Sequence, residues 1–172
     1  MLARAAKHSR AMKTLLLVRH AKSSRDDPAL TDRDRPLNDR GMRDAPKMAK
    51  RLAKRDLKPD VILSSPAVRA LTTAQLMAEK LDYKGKDIVV DDRLYAAAPE
   101  TLLKVIRELG DKPKRVMLIG HNPELAELAH RLSDSITDMP TSAVAEFVFD
   151  MSSWSELGKQ EPAKVKLQSP KD

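Results

Sequence analysis

The chain has 172 residues, 41% hydrophobic and 33% charged, with a formal net charge of +7 and no cysteine. That length is enough for one domain with a real core, and the lack of cysteine excludes a disulfide framework and thiolate chemistry at a metal or a nucleophile. Lys and Arg are scattered among 25 acidic residues and aromatics make up only 3%, so base stacking has little to work with. No nucleic-acid partner is expected, and the positive field suits a phosphorylated, acidic partner instead.

Residues 1–12 carry Arg4, Lys7 and Arg10 without a continuous apolar segment. They are expected to form a flexible basic leader, with Met12 as an alternative start and a targeting role as the weaker alternative. No stretch reaches the roughly 20 apolar residues of a membrane span, and none supplies the core of a signal peptide. A cytoplasmic protein with no membrane partner is the expectation.

The domain proper is expected over residues 13–150. Leu15-Leu16-Leu17-Val18 runs into Arg19, His20, Ala21, Lys22 and Ser23. A short apolar run closed by polar residues reads as a buried parallel strand, with Arg19 and His20 at its carboxyl end, where open α/β sheets bind ligands. Ser24 to Asn38 is a polar loop dense in Asp and Arg, a solvated rim or specificity loop. Gly41 to Arg55 is helical in pattern. Pro46 would break a helix interior, so the helix proper is expected to start at Asp44 as its cap.

Val61-Ile62-Leu63 is a second strand, followed by Ser64-Ser65-Pro66. Ser65 is expected to cap the next helix, whose apolar face is Ala67, Ala70, Leu71, Ala74, Met77, Ala78 and Leu81. Arg69 stands in the first turn of that helix, where a cation opposes the helix dipole. A bound anion would compensate this local conflict. Asp87 to Val90 is a third strand, and Pro99 opens a helix that Gly110 stops.

Arg115 to Gly120 repeats the first pattern: an apolar strand closed by a histidine, His121. Asn122 is a good cap and Pro123 a good first helical residue, which sets His121 beside free backbone N–H groups. Ala143 to Phe149 is a fifth strand. Residues 151–172 are Ser-, Lys- and Pro-rich with a lone Trp154, and are expected to form an extended or disordered polar tail. Strands alternating with helices predict a three-layer α/β/α sandwich with a mainly parallel central sheet. His8 and His130 read as surface histidines.

Arg19-His20-Ala21, Arg35-Pro36-Leu37-Asn38 with Gly41, Ser64-Ser65-Pro66 with Arg69-Ala70, and Gly120-His121-Asn122-Pro123 resemble, in order and spacing, the histidine phosphatase (phosphoglycerate mutase-like) superfamily. The match runs from about Lys13 to Phe149 and is most similar to the SixA-type phosphohistidine phosphatase branch, which lacks a large cap subdomain. The resemblance implies a catalytic quartet of His20, Arg19, Arg69 and His121. His20 would attack phosphorus, Arg19 and Arg69 would clamp the phosphoryl oxygens, and His121 would donate a hydrogen bond, best as imidazolium. Ser23 and Asn38 are further candidates for substrate binding. No cofactor and no metal are expected, since Arg19 beside His20 disfavours a cation.

Larger members of the superfamily use an acidic residue to protonate the leaving oxygen, and no acid stands in an equivalent place here. Asp26, Asp27, Asp34, Asp92 and Glu100 remain unranked candidates. A phosphoramidate leaves as imidazole, a far weaker base than an alkoxide, so it needs less general-acid help. Three functions follow: a phosphohistidine phosphatase acting on a signalling or phosphotransfer protein, a phosphomonoesterase for a small phosphorylated metabolite, or a non-catalytic phosphate-binding module. Retention of all four quartet residues disfavours the last.

Overall fold

The computed structural model describes residues 12–172. The expected leader lies outside the described residues except for Met12, which opens the first strand. In chain order the elements are β1 (Met12–Arg19), α1 (Asp39–Lys54), β2 (Val61–Ser64), α2 (Val68–Lys80), β3 (Val89–Val90), α3 (Pro99–Arg107), β4 (Arg115–Gly120), α4 (Glu124–Leu132), β5 (Val144–Asp150) and β6 (Lys164–Gln168), with short 3-10 turns between several of them. The sheet order is β3-β2-β4-β1-β5-β6. The first four strands are parallel, and β5 and β6 run antiparallel at the far edge.

Alternation along each strand sorts the core into two layers. Leu15, Leu17, Val116, Leu118, Phe147 and Phe149 pack with residues of α3 and α4. Leu16, Val18, Met117, Ile119 and Val144 pack with residues of α1 and α2. Both faces of β1 and β4 are therefore buried, which is why these strands read as unbroken apolar runs. The result is the expected three-layer, mainly parallel α/β/α sandwich.

Three helix starts differ from the sequence expectation. α1 begins at Asp39, capped by Asn38, whose Oδ1 accepts from the Gly41 N–H at 2.9 Å. Pro46 sits inside the helix at a cost of about 3 kcal/mol, offset by the cap and by the buried face of Gly41, Ala45, Met48, Ala49 and Leu52. α2 begins at Val68 with Ala67 in the cap position, and the Ser65 hydroxyl accepts from the Ala67 N–H ahead of the helix at 3.2 Å. α4 begins at Glu124. Asn122 instead donates to the Met139 carbonyl at 2.9 Å and accepts from Ala126 N–H at 3.3 Å.

The largest correction concerns residues 151–172, expected as a polar tail outside the domain. Trp154 is fully buried in the α3/α4 layer and its indole N–H donates to the Pro113 carbonyl at 2.7 Å. Ser153 and Glu156 form a capping box around it, and Arg107 holds the Leu157 carbonyl through two bonds of 2.9 and 2.7 Å. Lys164–Gln168 then pairs with β5 as an edge strand, its lysines discouraging further strand addition. Trp154→Ala is expected to cost about 3–5 kcal/mol of stability through the cavity it leaves. A urea midpoint implying less than about 1 kcal/mol would show that the segment is not part of the core.

Candidate active site

The site is built by one register. β1 and β4 are adjacent and parallel, with Arg19 paired to Gly120. The next residue on each strand is a histidine, so His20 and His121 leave the sheet side by side. Their ring centroids are 5.2 Å apart and tilted by 55°. Both rings are buried, His20 to 7% exposure and His121 to 6%.

His20 Nδ1 lies 2.7 Å from the Ala21 carbonyl. A carbonyl only accepts, so Nδ1 carries the proton and Nε2 presents its lone pair. Toward that lone pair points Arg69 Nε, at 3.3 Å. The rest of the Arg69 fork rests on Asp32: Nη1 donates to the backbone carbonyl at 2.6 Å and Nη2 to Oδ2 at 3.0 Å. Tyr95 donates its hydroxyl proton to the same Oδ2 at 2.7 Å. Arg69 is fixed from below as well, since Thr73 Oγ1 donates to the Arg69 carbonyl at 2.7 Å and accepts from the Ala21 N–H at 3.0 Å.

His121 Nε2 is 2.7 Å from Ser65 Oγ, which also accepts from the Ala67 N–H at 3.2 Å. Ser65 Oγ keeps both its proton and a second lone pair, so this contact fits either His121 tautomer. His121 Nδ1 is buried without a protein partner, as is Arg19 Nε, and in the tautomer where Ser65 donates to Nε2 both are donors without acceptors, at about 1–3 kcal/mol each. Arg19 is steadied by one bond from Nη1 to the Met139 carbonyl at 3.0 Å. Arg19, His20, Arg69 and His121 line one cavity of about 340 Å³, together with Lys22, Ser23, Arg25, Asp32, Arg35, Asn122 and Thr141.

Burial pushes His20 down to about 3, reinforced by His121, Arg69 and Arg19 and opposed by the Ala21 bond. His121 is pushed down to about 4, by burial first and then by the charge of Arg69, with Asp32 opposing. Both imidazoles are neutral at pH 7. The expected His121 imidazolium belongs to the site with a phosphoryl group bound, whose charge would favour it; without an anion the ring is neutral. Tyr95, edge-on to His121 at 5.6 Å, has its hydroxyl pKa raised because its proton is held by Asp32. The same bond heads the causes that lower Asp32.

The four quartet residues and Ser23 come together at the cavity. Asn38 does not, because its carboxamide caps α1. None of Asp26, Asp27, Asp34, Asp92 and Glu100 lines the cavity: Asp27 and Asp34 bond within their own loop, and Asp92 and Glu100 pair with Arg33 and Arg131 at the surface. The carboxylate that reaches the site is Asp32, buried from view in a run of alternating Asp and Arg. Ser65 was read as a cap, and Tyr95 carried no signal beyond ending the third-strand region. His130 is exposed, its Nδ1 on the Ile136 carbonyl at 2.9 Å. Among the described residues no His, Asp and Glu cluster is placed to hold a metal ion, and no helix is long and apolar enough to cross a membrane.

Residues 15–97 match the sequence model of the histidine phosphatase superfamily (branch 1). An uncharacterized protein of Mycobacterium tuberculosis is 37% identical over 132 residues, spanning 75% of this chain and 77% of its own. A SixA protein of Agrobacterium tumefaciens is 30% identical and superposes with a TM-score of 0.75 over 90% of this chain and 97% of that one. The chain belongs to the histidine phosphatase superfamily. Within it the match is to the SixA type, and the family and its neighbours support a phosphatase. The structure of the protein histidine phosphatase SixA complexed with tungstate shares the fold, with a TM-score of 0.77 at 24% identity over 91% of this chain and 97% of that one.

The depressed histidines tie stability to pH. Unfolded, each titrates near 6.5; folded, His20 titrates near 3 and His121 near 4. Between those values the unfolded chain binds more protons, so stability is intact above about pH 6.5 and falls as the pH is lowered toward 4. Each group contributes about 1.4 kcal/mol per pH unit inside its window. His121→Asn removes one such group and is expected to lose about 1–2 kcal/mol less than wild type between pH 6.5 and 5. Parallel urea-stability curves for the two proteins would refute this.

Proposed function

We propose that the protein is a metal-independent phosphatase working through a phosphohistidine intermediate on His20, with phosphohistidine on a signalling or phosphotransfer protein as its substrate. The observation that carries this reading is the state of His20. Its Nδ1–H is engaged by Ala21 and the ring is neutral, so Nε2 carries a lone pair, held only by the 3.3 Å bond from Arg69 Nε–H, inside a cavity walled by guanidinium groups; a phosphoryl group that takes over that donor frees the lone pair for attack.

Attack by Nε2 forms a nitrogen–phosphorus bond while the bond to the substrate imidazole breaks, and that imidazole leaves neutral because its other ring nitrogen already carries a proton. Water then attacks the phosphoryl group of His20, the second nitrogen–phosphorus bond breaks, and inorganic phosphate and neutral His20 are released. Arg19 and Arg69 neutralise the non-bridging oxygens in both steps, which is most of what phosphoryl transfer asks of a protein. Arg19 Nε–H, the Ser23 hydroxyl at the wall and, in the tautomer where Ser65 donates to Nε2, His121 Nδ1–H supply further donors. The two orphan donors explain a site that is unsatisfied until an oxyanion arrives.

A phosphoramidate fits because imidazole leaves without strong acid assistance. One observation favours a second reading, a phosphomonoesterase for a small metabolite: Asp32 places a carboxylate at the cavity, which would have to take up a proton against the Tyr95 and Arg69 bonds that hold it ionised before it protonated an alkoxide.

The test is turnover without added metal on a phosphohistidine protein and on a panel of phosphate esters, with trapping of radiolabelled phosphate. Label on His20 and preference for the phosphohistidine protein are expected. Preference for an ester gives the second reading. His20→Ala is expected to lose at least about 10³-fold in kcat, since removing a nucleophile removes the covalent route. Full turnover by that variant would eliminate the mechanism.

A further inference from the structure

The cavity holds more positive charge than one transferred group requires. Among the lining residues Arg19, Lys22, Arg25, Arg35 and Arg69 face a single carboxylate, Asp32, and Asp138, outside the lining, acts on Arg19. A phosphoryl group brings at most about two negative charges, and the quartet already supplies two guanidinium groups for it. Lys22, Arg25 and Arg35 are left over, on the wall opposite β4.

That wall is built rather than loose. Ser23 bridges to Leu37 as a one-residue antiparallel pair. Ser24 N–H donates to the Pro36 carbonyl at 2.8 Å and Asn38 N–H to the Lys22 carbonyl at 3.0 Å. A side chain at Gly41 would collide with that same Lys22 carbonyl, so α1 is packed directly against the wall. Arg35 is its rigid member: the side chain is only 11% exposed, Nη2 is held by Ser23 Oγ, and Nη1 stands 3.5 Å from Asp32 Oδ1. Its Nε–H is buried with no partner. Burial, with Arg25 and Arg69 close by, pulls the Arg35 guanidinium below its ordinary value. A crowded cation with an unanswered donor is a local conflict that an anion resolves.

We propose that Lys22, Arg25 and Arg35 form a second anion subsite, which takes a further anionic group carried by the substrate beside the phosphoryl group being transferred. The inference builds on the proposed phosphatase site and narrows its substrate class to one with two anionic groups a few ångströms apart. An acidic side chain next to a phosphorylated histidine has that chemistry, and so does a second phosphate. Arg35 is then a specificity-determining residue, reading the second charge through a planar fork that Ser23 has already oriented.

Calorimetric binding to the full chain tests this with inorganic phosphate, phosphonoacetate and inorganic pyrophosphate at constant ionic strength. At least one two-headed anion is expected to bind tenfold or more tightly than phosphate, about 1.4 kcal/mol. Gain with phosphonoacetate identifies a carboxylate as the second group; gain with pyrophosphate alone identifies a phosphate. Arg35→Gln is expected to bring the ratio to near one, and Lys50→Gln, the same charge change on the outer face of α1, to leave it unaltered. Arg25→Gln, expected to cut the ratio at least threefold, carries the test if Arg35→Gln does not fold. A wild-type ratio of one, an unchanged ratio in both arginine variants, or an equal fall in Lys50→Gln overturns the subsite. Binding is read without turnover, so a chain that prefers two-headed anions yet leaves phosphohistidine intact would refute the proposed substrate and not the subsite.

Discussion

The pairing of β1 with β4 is the constraint on which everything else rests. Two strands separated by about a hundred residues are hydrogen-bonded neighbours, in a register that sets Arg19 against Gly120. Their next residues are both histidines, and their side chains are carried to one place by the sheet itself. A slip of one residue would send one imidazole to the opposite face. The apolar cores on both sides of these strands oppose such a slip, because it would expose Leu15, Leu17, Val116 and Leu118 to the wrong layer. Packing that stabilises the fold thus also fixes the distance between two buried imidazole rings.

Around those rings the electrostatics are one-sided. Burial lowers the proton affinity of the two imidazoles, and the arginines beside them lower it further. The protein keeps two neutral bases in a pocket where His121 Nδ1, Arg19 Nε and Arg35 Nε are buried without a protein partner. Such a pocket reduces stability in the absence of ligand and is preorganised for an oxyanion in its presence. Asp32 is the carboxylate among the residues that line the cavity. By accepting from Arg69 and from Tyr95, it ties the polar loop after β1 to the helix that carries Arg69.

Most of the framework was legible because burial on both faces writes long apolar runs. His20 and His121 stood out because each terminates such a run, and Arg69 because it opposes a helix dipole. Other parts were hidden for physical reasons. Asp32 acts from a single 3-10 turn, Asp32–Asp34, which has no periodicity to mark it among neighbours of the same type. Ser65 looks like a cap because a hydroxyl before a proline suits that role; its bond to His121 depends on a strand that arrives 56 residues later. β6 was hidden although Lys164-Val165-Lys166-Leu167-Gln168 alternates polar and apolar, because a five-residue run with two lysines in a polar, Pro-containing stretch also reads as a tail. The signal that was available there is Ser153-Trp154-Ser155-Glu156, a capping-box spelling around the chain's one tryptophan.

Ala21 has a double attachment. Its carbonyl holds the proton of His20 Nδ1, and its N–H is held by Thr73, which also grips the Arg69 carbonyl. One peptide segment therefore couples the tautomer of His20 to the seating of the cation beside it. Displacing α2 along its axis would loosen the guanidinium and blur which imidazole nitrogen is free in a single motion. The chemical state of this imidazole is thereby made a property of how a helix sits on a sheet.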